Sequence, residues 1–287
     1  MNEMREGSVQ CVSQTGFHRM AYVEWGDAGN PDVLLCVHGL TRCGRDFDDL
    51  ARAMSDRYRV VCPDIVGRGR SDWLTNKHLY APPQYCADIV TLLARLDATR
   101  LHWVGTSMGG LIGMVMAALP GTPIERLVLN DAGPIFTAAS LRRIGETLGK
   151  APRFESLAQA EAFVRFVSQP FGPLTDAQWR HLTVHTVREA ADGKFDFRYD
   201  PGIAVTFQDN LAASGGKDLE LWPVYEAIRC PTLLLRGAQS DVLTAATAQS
   251  MTERGPRARL VEIAGIGHAP VLMDADQIAP IREFLLQ

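Results

Sequence analysis

The sequence predicts an α/β fold: a mostly parallel central sheet wound by helices on both faces, with a helical insertion. Three observations carry that prediction. Near-continuous apolar runs, Val33-Leu34-Leu35-Cys36-Val37 and Thr232-Leu233-Leu234-Leu235 among them, suit strands covered on both faces. Helical apolar spacing separates these runs, and strands alternating with helices imply parallel pairing through crossovers. Between Gly133 and about Trp222 the alternation stops, and only helical patterns follow one another.

In chain order, Val9 to Ser13 and Arg19 to Trp25 read as two pairing strands about the turn Gln14-Thr15-Gly16, and the turn formers Gly26 to Pro31 end them. Val33–Val37 and Tyr58–Cys62 are buried strands. Phe47, Leu50, Ala51 and Met54, then Ile89, Leu92, Leu93 and Leu96, recur at helical spacing. Further strands are expected at Leu101–Val104, Arg126–Leu129, Thr232–Leu235 and, more weakly, Arg259–Ile263, with a last helix from about Ala275 to Leu286. In the interrupted stretch, Leu141, Ile144 and Leu148 mark one helix. Ala162, Phe163, Phe166 and Val167 mark a second, and Trp179, Leu182 and Val187 a third. The expected organisation is a core of residues 1–133 and 223–287 and a helical lid of residues 134–222. A helical insertion at the ligand-binding end of a sheet shapes and covers a pocket.

Composition narrows the function. The 287 residues are 46% hydrophobic and 22% charged, with a formal net charge of −4, as expected of a globular protein large enough for a sizeable core. No basic stripe offers a surface to nucleic acid. The polar start Met1-Asn2-Glu3-Met4-Arg5-Glu6 lacks the apolar run of a secretory signal, and no eighteen apolar residues run together. The expectation is a cytoplasmic protein with no membrane partner, monomeric or homodimeric. Six cysteines, at positions 11, 36, 43, 62, 86 and 230, show no metal-binding spacing and read as reduced, buried thiols.

The chemistry is announced by Gly105-Thr106-Ser107-Met108-Gly109, which lies between the strand Leu101–Val104 and an apolar helical run from Leu111. A serine on so sharp a strand-to-helix turn is held in a strained conformation, and the flanking small residues let strand and helix approach. Such a serine needs a base, and the base an orienting acid. His268 follows the last strand in Gly265-Ile266-Gly267-His268-Ala269-Pro270, and Asp241 follows the strand before it in Arg236-Gly237-Ala238-Gln239-Ser240-Asp241. Both stand at carboxyl ends of strands, where parallel sheets place their ligand sites. Asp131 also ends a strand and is the alternative acid. Of the remaining histidines, His38 belongs to a turn, His102 to a strand, and His181 and His185 lie four apart on one helix, a pair for which no third metal ligand of matching context is visible.

With these pieces the chain resembles the α/β-hydrolase fold superfamily, in its lid-bearing serine esterase and lactonase branch. The likeness covers nearly the whole chain. It rests on His38-Gly39-Leu40, Pro63-Asp64-Ile65-Val66-Gly67-Arg68-Gly69-Arg70-Ser71, Gly105-Thr106-Ser107-Met108-Gly109-Gly110, Asp241 and His268, in the order Ser, Asp, His. The resemblance implies an oxyanion hole from the amides of Leu40 and Met108 and a triad of Ser107, Asp241 and His268. The Asp64–Ser71 loop reads as structural, with Asp64 holding backbone amides.

The implied reaction is hydrolysis of a small to medium carboxylic ester or lactone through an acyl-enzyme, with no metal or organic cofactor. Arg42 could meet an anionic substrate, and Phe136, Phe163 and Trp179 could line an acyl pocket, although their helical spacing favours packing in the core. The serine excludes relatives of this fold that place an aspartate at position 107. Carbon-carbon bond hydrolases share a serine triad and a lid, but His38-Gly39-Leu40-Thr41 lacks the Gly-Pro-Gly extension many of them carry. A cofactor-free perhydrolase and a slow-turnover receptor for a small ligand complete the alternatives.

Overall fold

The computed structural model describes residues 3–287. Its centre is an eight-stranded sheet of order β1-β2-β4-β3-β5-β6-β11-β12. The strands are β1 (Arg5–Ser13), β2 (Gly16–Trp25), β3 (Asp32–Val37), β4 (Arg59–Pro63), β5 (Arg100–Thr106), β6 (Ile124–Asn130), β11 (Thr232–Gly237) and β12 (Arg259–Ile263). β2 pairs antiparallel with both β1 and β4, and every pairing from β4 to β12 is parallel.

Alternate residues of each buried strand serve two different cores. Val33, Leu35 and Val37 face one cluster and Leu34 and Cys36 the other, as the two-residue period of a strand requires. The first cluster is covered by α2 (Pro82–Leu96), α3 (Met108–Ala118) and α8 (Trp222–Ala227), through Ile89, Leu92, Ile112 and Tyr225. Ala248 and Met251 of α9 (Ala245–Glu253) join it. The second is covered by α1 (Asp48–Met54) and α10 (Ala275–Leu285), through Leu50, Met54, Ile281 and Phe284.

Residues 134–222 leave this alternation. They hold α4 (Ala138–Thr147), α5 (Leu157–Val167), α6 (Asp176–Thr186) and α7 (Ile203–Ala213). Two short antiparallel pairs accompany them: β7 (Ile135–Phe136) with β10 (Leu219–Glu220), and β8 (Val187–Glu189) with β9 (Phe195–Phe197). The fourth helix and the short pairs are not visible in the sequence pattern, since strands of two or three residues are too short to show a period. Side-chain bonds tie this segment to the core: Arg42 Nη1 donates to Thr186 Oγ1, Gln178 Nε2 to Asp274 Oδ1, and Tyr80 Oη to Asp200 Oδ2.

Parallel register brings the carboxyl ends of the central strands to one level. Val37 lies opposite Gly105, Thr106 opposite Asn130, and Asn130 opposite Leu235. The residues just beyond these ends therefore share one edge of the sheet.

Candidate active site

Ser107 sits where β5 turns into α3, with φ 51° and ψ −112°. Positive φ strains a residue with a Cβ, and the neighbours that impose it are in place. The Ser107 amide donates to Asn130 O at 3.0 Å. Gly109 lies so close to the end of β3 that a Cβ on it would meet Val37 O at 1.9 Å, so only glycine lets the elbow slide under the His38 turn. Met108 is the first residue of α3, where the backbone amide has no acceptor within the helix and points outward.

The loop after β12 brings His268 to the serine, with Nε2 2.9 Å from Ser107 Oγ. This loop folds back over the end of β11, where a Cβ on Gly237 would lie 2.0 Å from Gly267 O. Asn130, wholly buried, fastens the loop to the elbow: its Nδ2 donates to Pro270 O at 2.8 Å and to Thr106 Oγ1 at 2.9 Å.

The carboxylate that faces His268 is that of Asp131, Oδ2 standing 3.5 Å from Nδ1. Asp131 is wholly buried, and among the described residues neither of its oxygens has a hydrogen-bond partner. Its φ of 52°, a conformation aspartate tolerates better than most residues, turns the chain at the end of β6. Since β6 is the neighbour of β5, Asp131 is one strand away from the serine.

Asp241, the acid expected from the sequence, is elsewhere. Ser240 Oγ accepts the amides of Val242 and Leu243, a turn that buries Val242 and Leu243 and points Asp241 to solvent. There Arg143 of α4 holds it in a bidentate pair at 2.6 and 2.9 Å. Of the two candidate acids, Asp131 lies against His268 and Asp241 does not.

Around this centre the turn after β3 is rigid. His38 is wholly buried, accepting the Ile65 amide at Nε2 (3.0 Å) while its Nδ1 lies 2.7 Å from Gly39 O. An acceptor at one nitrogen and a donor at the other require the neutral ring, and burial lowers its pKa to about 4. Asp64 accepts the amides of Gly44 and Arg70, the structural work expected of it, and burial raises its pKa.

The family model described as alpha/beta hydrolase fold matches residues 32–275. The chain belongs to the α/β-hydrolase fold family. It is 47% identical over 98% of its length to a 3-hydroxybutyrate-oligomer hydrolase of Cupriavidus necator, of which the match covers 97%. Among solved structures, an α/β hydrolase from Novosphingobium aromaticivorans superposes with a TM-score of 0.86 at 35% identity, covering 100% of this chain and 99% of that one. A Rickettsia typhi protein provisionally assigned as a hydrolase superposes with a TM-score of 0.90 at 32% identity, covering 99% of each chain.

In this α/β hydrolase the residues expected to meet substrate are mostly committed to other contacts. Arg42 is held by Asp46 at 2.6 and 2.8 Å and by Thr186. Phe163 packs on Phe154 and Phe197, and Trp179 with Val164, Leu182 and Met273. Phe163 therefore fills the interior of the 134–222 segment, and Trp179 the seam between that segment and Met273. Phe136 is half-buried on β7, opposite Leu219. A cavity of about 40 Å³, room for one or two waters, borders Thr106, Ala269 and Pro270, and the residues of the segment that reach it are Phe171 and Leu182.

Two groups among the described residues bring three potential metal ligands within 4.8 Å of one another: Asp48, His181 and His185, and Cys11, His18 and Asp88. The first supplies the third partner that the sequence did not show for the histidine pair. Two of its members are engaged elsewhere, since Arg45 binds Asp48 and His181 Nε2 lies 2.9 Å from Arg45 O. In the second, His18 Nε2 bonds Asp88 Oδ2 at 2.9 Å and pins the β1–β2 hairpin to α2.

Two residues at the site escape sequence reasoning. Asn130 gives no signal beyond ending a strand. Arg68 stands between two glycines of a loop that reads as structural, yet it contacts both Leu40 and Met108.

Proposed function

We propose that this carboxylic ester hydrolase cleaves short oligoesters of a 3-hydroxyalkanoic acid, 3-hydroxybutyrate oligomers foremost, with Ser107, His268 and Asp131 as its catalytic triad. The observation that carries the mechanism is the 2.9 Å approach of His268 Nε2 to a strained Ser107, with a buried carboxylate behind the imidazole. The substrate class is supported by 47% identity, along nearly the full length of both chains, to a hydrolase of those oligomers.

In this reading His268 Nε2 takes the hydroxyl proton as Ser107 Oγ attacks the ester carbonyl carbon. Asp131 holds the ring with Nδ1 protonated and stabilises the cation that forms. The amides of Leu40 and Met108 receive the negative oxygen, each donor worth about 2.7–4 kcal/mol in the transition state. Collapse expels the alcohol, which takes its proton from His268. Water, activated by the same imidazole, then releases the acid and restores the serine. Residues 134–222 act as the lid that bounds the acyl side.

The deciding experiment follows hydrolysis of the 3-hydroxybutyrate dimer and trimer beside p-nitrophenyl acetate and a small lactone, with Ser107→Ala as control. Turnover of the oligomers that falls by about 10³-fold or more in the folded Ser107→Ala protein is the expected result. Oligomer turnover that survives the substitution would overturn the mechanism, and turnover restricted to p-nitrophenyl acetate or the lactone would overturn the substrate.

A further inference from the structure

Arg68 is wholly buried, yet every partner of its guanidinium is neutral. Nε donates to Leu40 O at 2.8 Å, and Nη1 donates to Val66 O at 2.8 Å and to Tyr85 Oη at 3.1 Å. Nη2 lies 3.4 Å from Met108 Sδ. The rings of Tyr85 and Tyr80 flank the group with centroids 5.0 and 5.7 Å from Cζ. Asp200, whose amide bonds Gly67 O beside it, is engaged by Lys77 and Tyr80. The other arginines around the site each hold a carboxylate: Arg42 that of Asp46, Arg45 that of Asp48, Arg143 that of Asp241.

A buried cation without a counter-charge is strongly unfavourable, because its desolvation is not offset by an ion pair. Carbonyl oxygens, a phenol and two ring faces compensate only in part. The location gives the cost a use. Arg68 grips the two residues, Leu40 and Met108, whose amides would receive the negative oxygen of the reaction. A fixed charge acts strongly through a dry, low-dielectric interior, and it needs no reorganisation when the opposite charge appears.

We propose that Arg68 is a positioning residue for the oxyanion hole, which clamps Leu40 and Met108 in place and holds an uncompensated positive charge behind their amides. The proposal rests on the serine mechanism above. The anion that forms on the substrate during turnover is then the counter-charge that Arg68 lacks among the described residues. Arg68 acts without touching substrate, through two neighbours, and its effect belongs to the transition state and not to ground-state binding.

The test compares Arg68→Met, Arg68→Gln and Arg68→Lys with the parent on p-nitrophenyl acetate. It adds inhibition by a trifluoromethyl ketone, which forms an anionic adduct on Ser107, and by the corresponding methyl ketone. Labelling of Ser107 by a fluorophosphonate in the parent comes first, and its absence would sink the serine mechanism itself. With labelling established, the neutral variants should lose about 10- to 100-fold in kcat, with KM changed by less than about threefold. They should bind the trifluoromethyl ketone correspondingly less well and the methyl ketone unchanged. Arg68→Lys should stay within about tenfold of the parent in kcat, since the charge remains. Equal losses for both ketones, or an unaltered kcat in a folded neutral variant, would overturn the proposal. Where neither neutral variant folds, a folded Arg68→Lys that loses more than about 100-fold in kcat would do the same.

Discussion

His268 and Asp131 face each other across 3.5 Å, and among the described residues no hydrogen-bond donor holds the buried carboxylate. That separation is longer than a hydrogen bond, as catalytic contacts often are before substrate binds. A carboxylate so enclosed is held by the histidine or by nothing.

Asp131→Asn should therefore lower kcat by about 10³- to 10⁴-fold, because the amide favours the wrong imidazole tautomer. Asp241→Asn should leave kcat within about threefold, its loss being one exposed ion pair. Steady-state kinetics of the two variants give the ranking, and the reverse order would return the acid role to Asp241.

The two acids also show how far the sequence reaches. The strands and the elbow are legible because each is a local pattern: an apolar run, a G-x-S-x-G frame, a histidine after a strand. Which acid serves is not local. It depends on β6 lying beside β5, and on Ser240 Oγ accepting the amides of Val242 and Leu243 so that Asp241 points outward. The packing partners of Phe163 and Trp179 are not local either: helical spacing says that a side chain is buried, but not against what. Arg68 is hidden because its partners are carbonyl oxygens and rings brought together only by folding.

Asn130 bridges the elbow and the histidine loop through Thr106 Oγ1 and Pro270 O. Asn130→Ala leaves a buried carbonyl unpaired, which should cost about 1–3 kcal/mol of stability. It should also loosen the Ser107–His268 distance, and a misplacement near 1 Å can cost about 100-fold in rate. Chemical denaturation and kcat measured on the same sample test both effects. A destabilised protein with unaltered kcat would reduce Asn130 to a purely structural bond.

Arg143 and Asp241 join α4 to the loop after β11 through half-exposed side chains. An ion pair so open to solvent should contribute less than about 1 kcal/mol. Arg143→Ala, Asp241→Asn and the double variant should then share nearly the same denaturation midpoint, the double losing no more than either single change. A double variant much less stable than both would mean that each residue has further partners.

The pH dependence of stability should be set largely by buried histidines. Burial lowers the pKa of His38 to about 4, and burial with the charges of Arg126 and Arg100 brings His102 to about 4. Both rings are therefore neutral in the folded protein at a pH where the unfolded chain, with a histidine pKa near 6.5, takes up protons. The unfolded state binds more protons between these limits, so stability is fully present above about pH 6.5 and falls as pH drops toward 4. By pH 5 the loss is about 2 kcal/mol for His38 and at most about that for His102, which is less completely enclosed. His102 Nδ1 lies 3.0 Å from Tyr58 Oη, which itself donates to Leu285 O, so the proton on Nδ1 is already present in the neutral ring, and a second would go to Nε2, 4.0 Å from Glu125 Oε2. Urea denaturation at pH 7, 6 and 5 should show a progressive fall in unfolding free energy, and His102→Asn should flatten its slope. An unfolding free energy that does not change between pH 7 and 5 would contradict the lowered values at both rings.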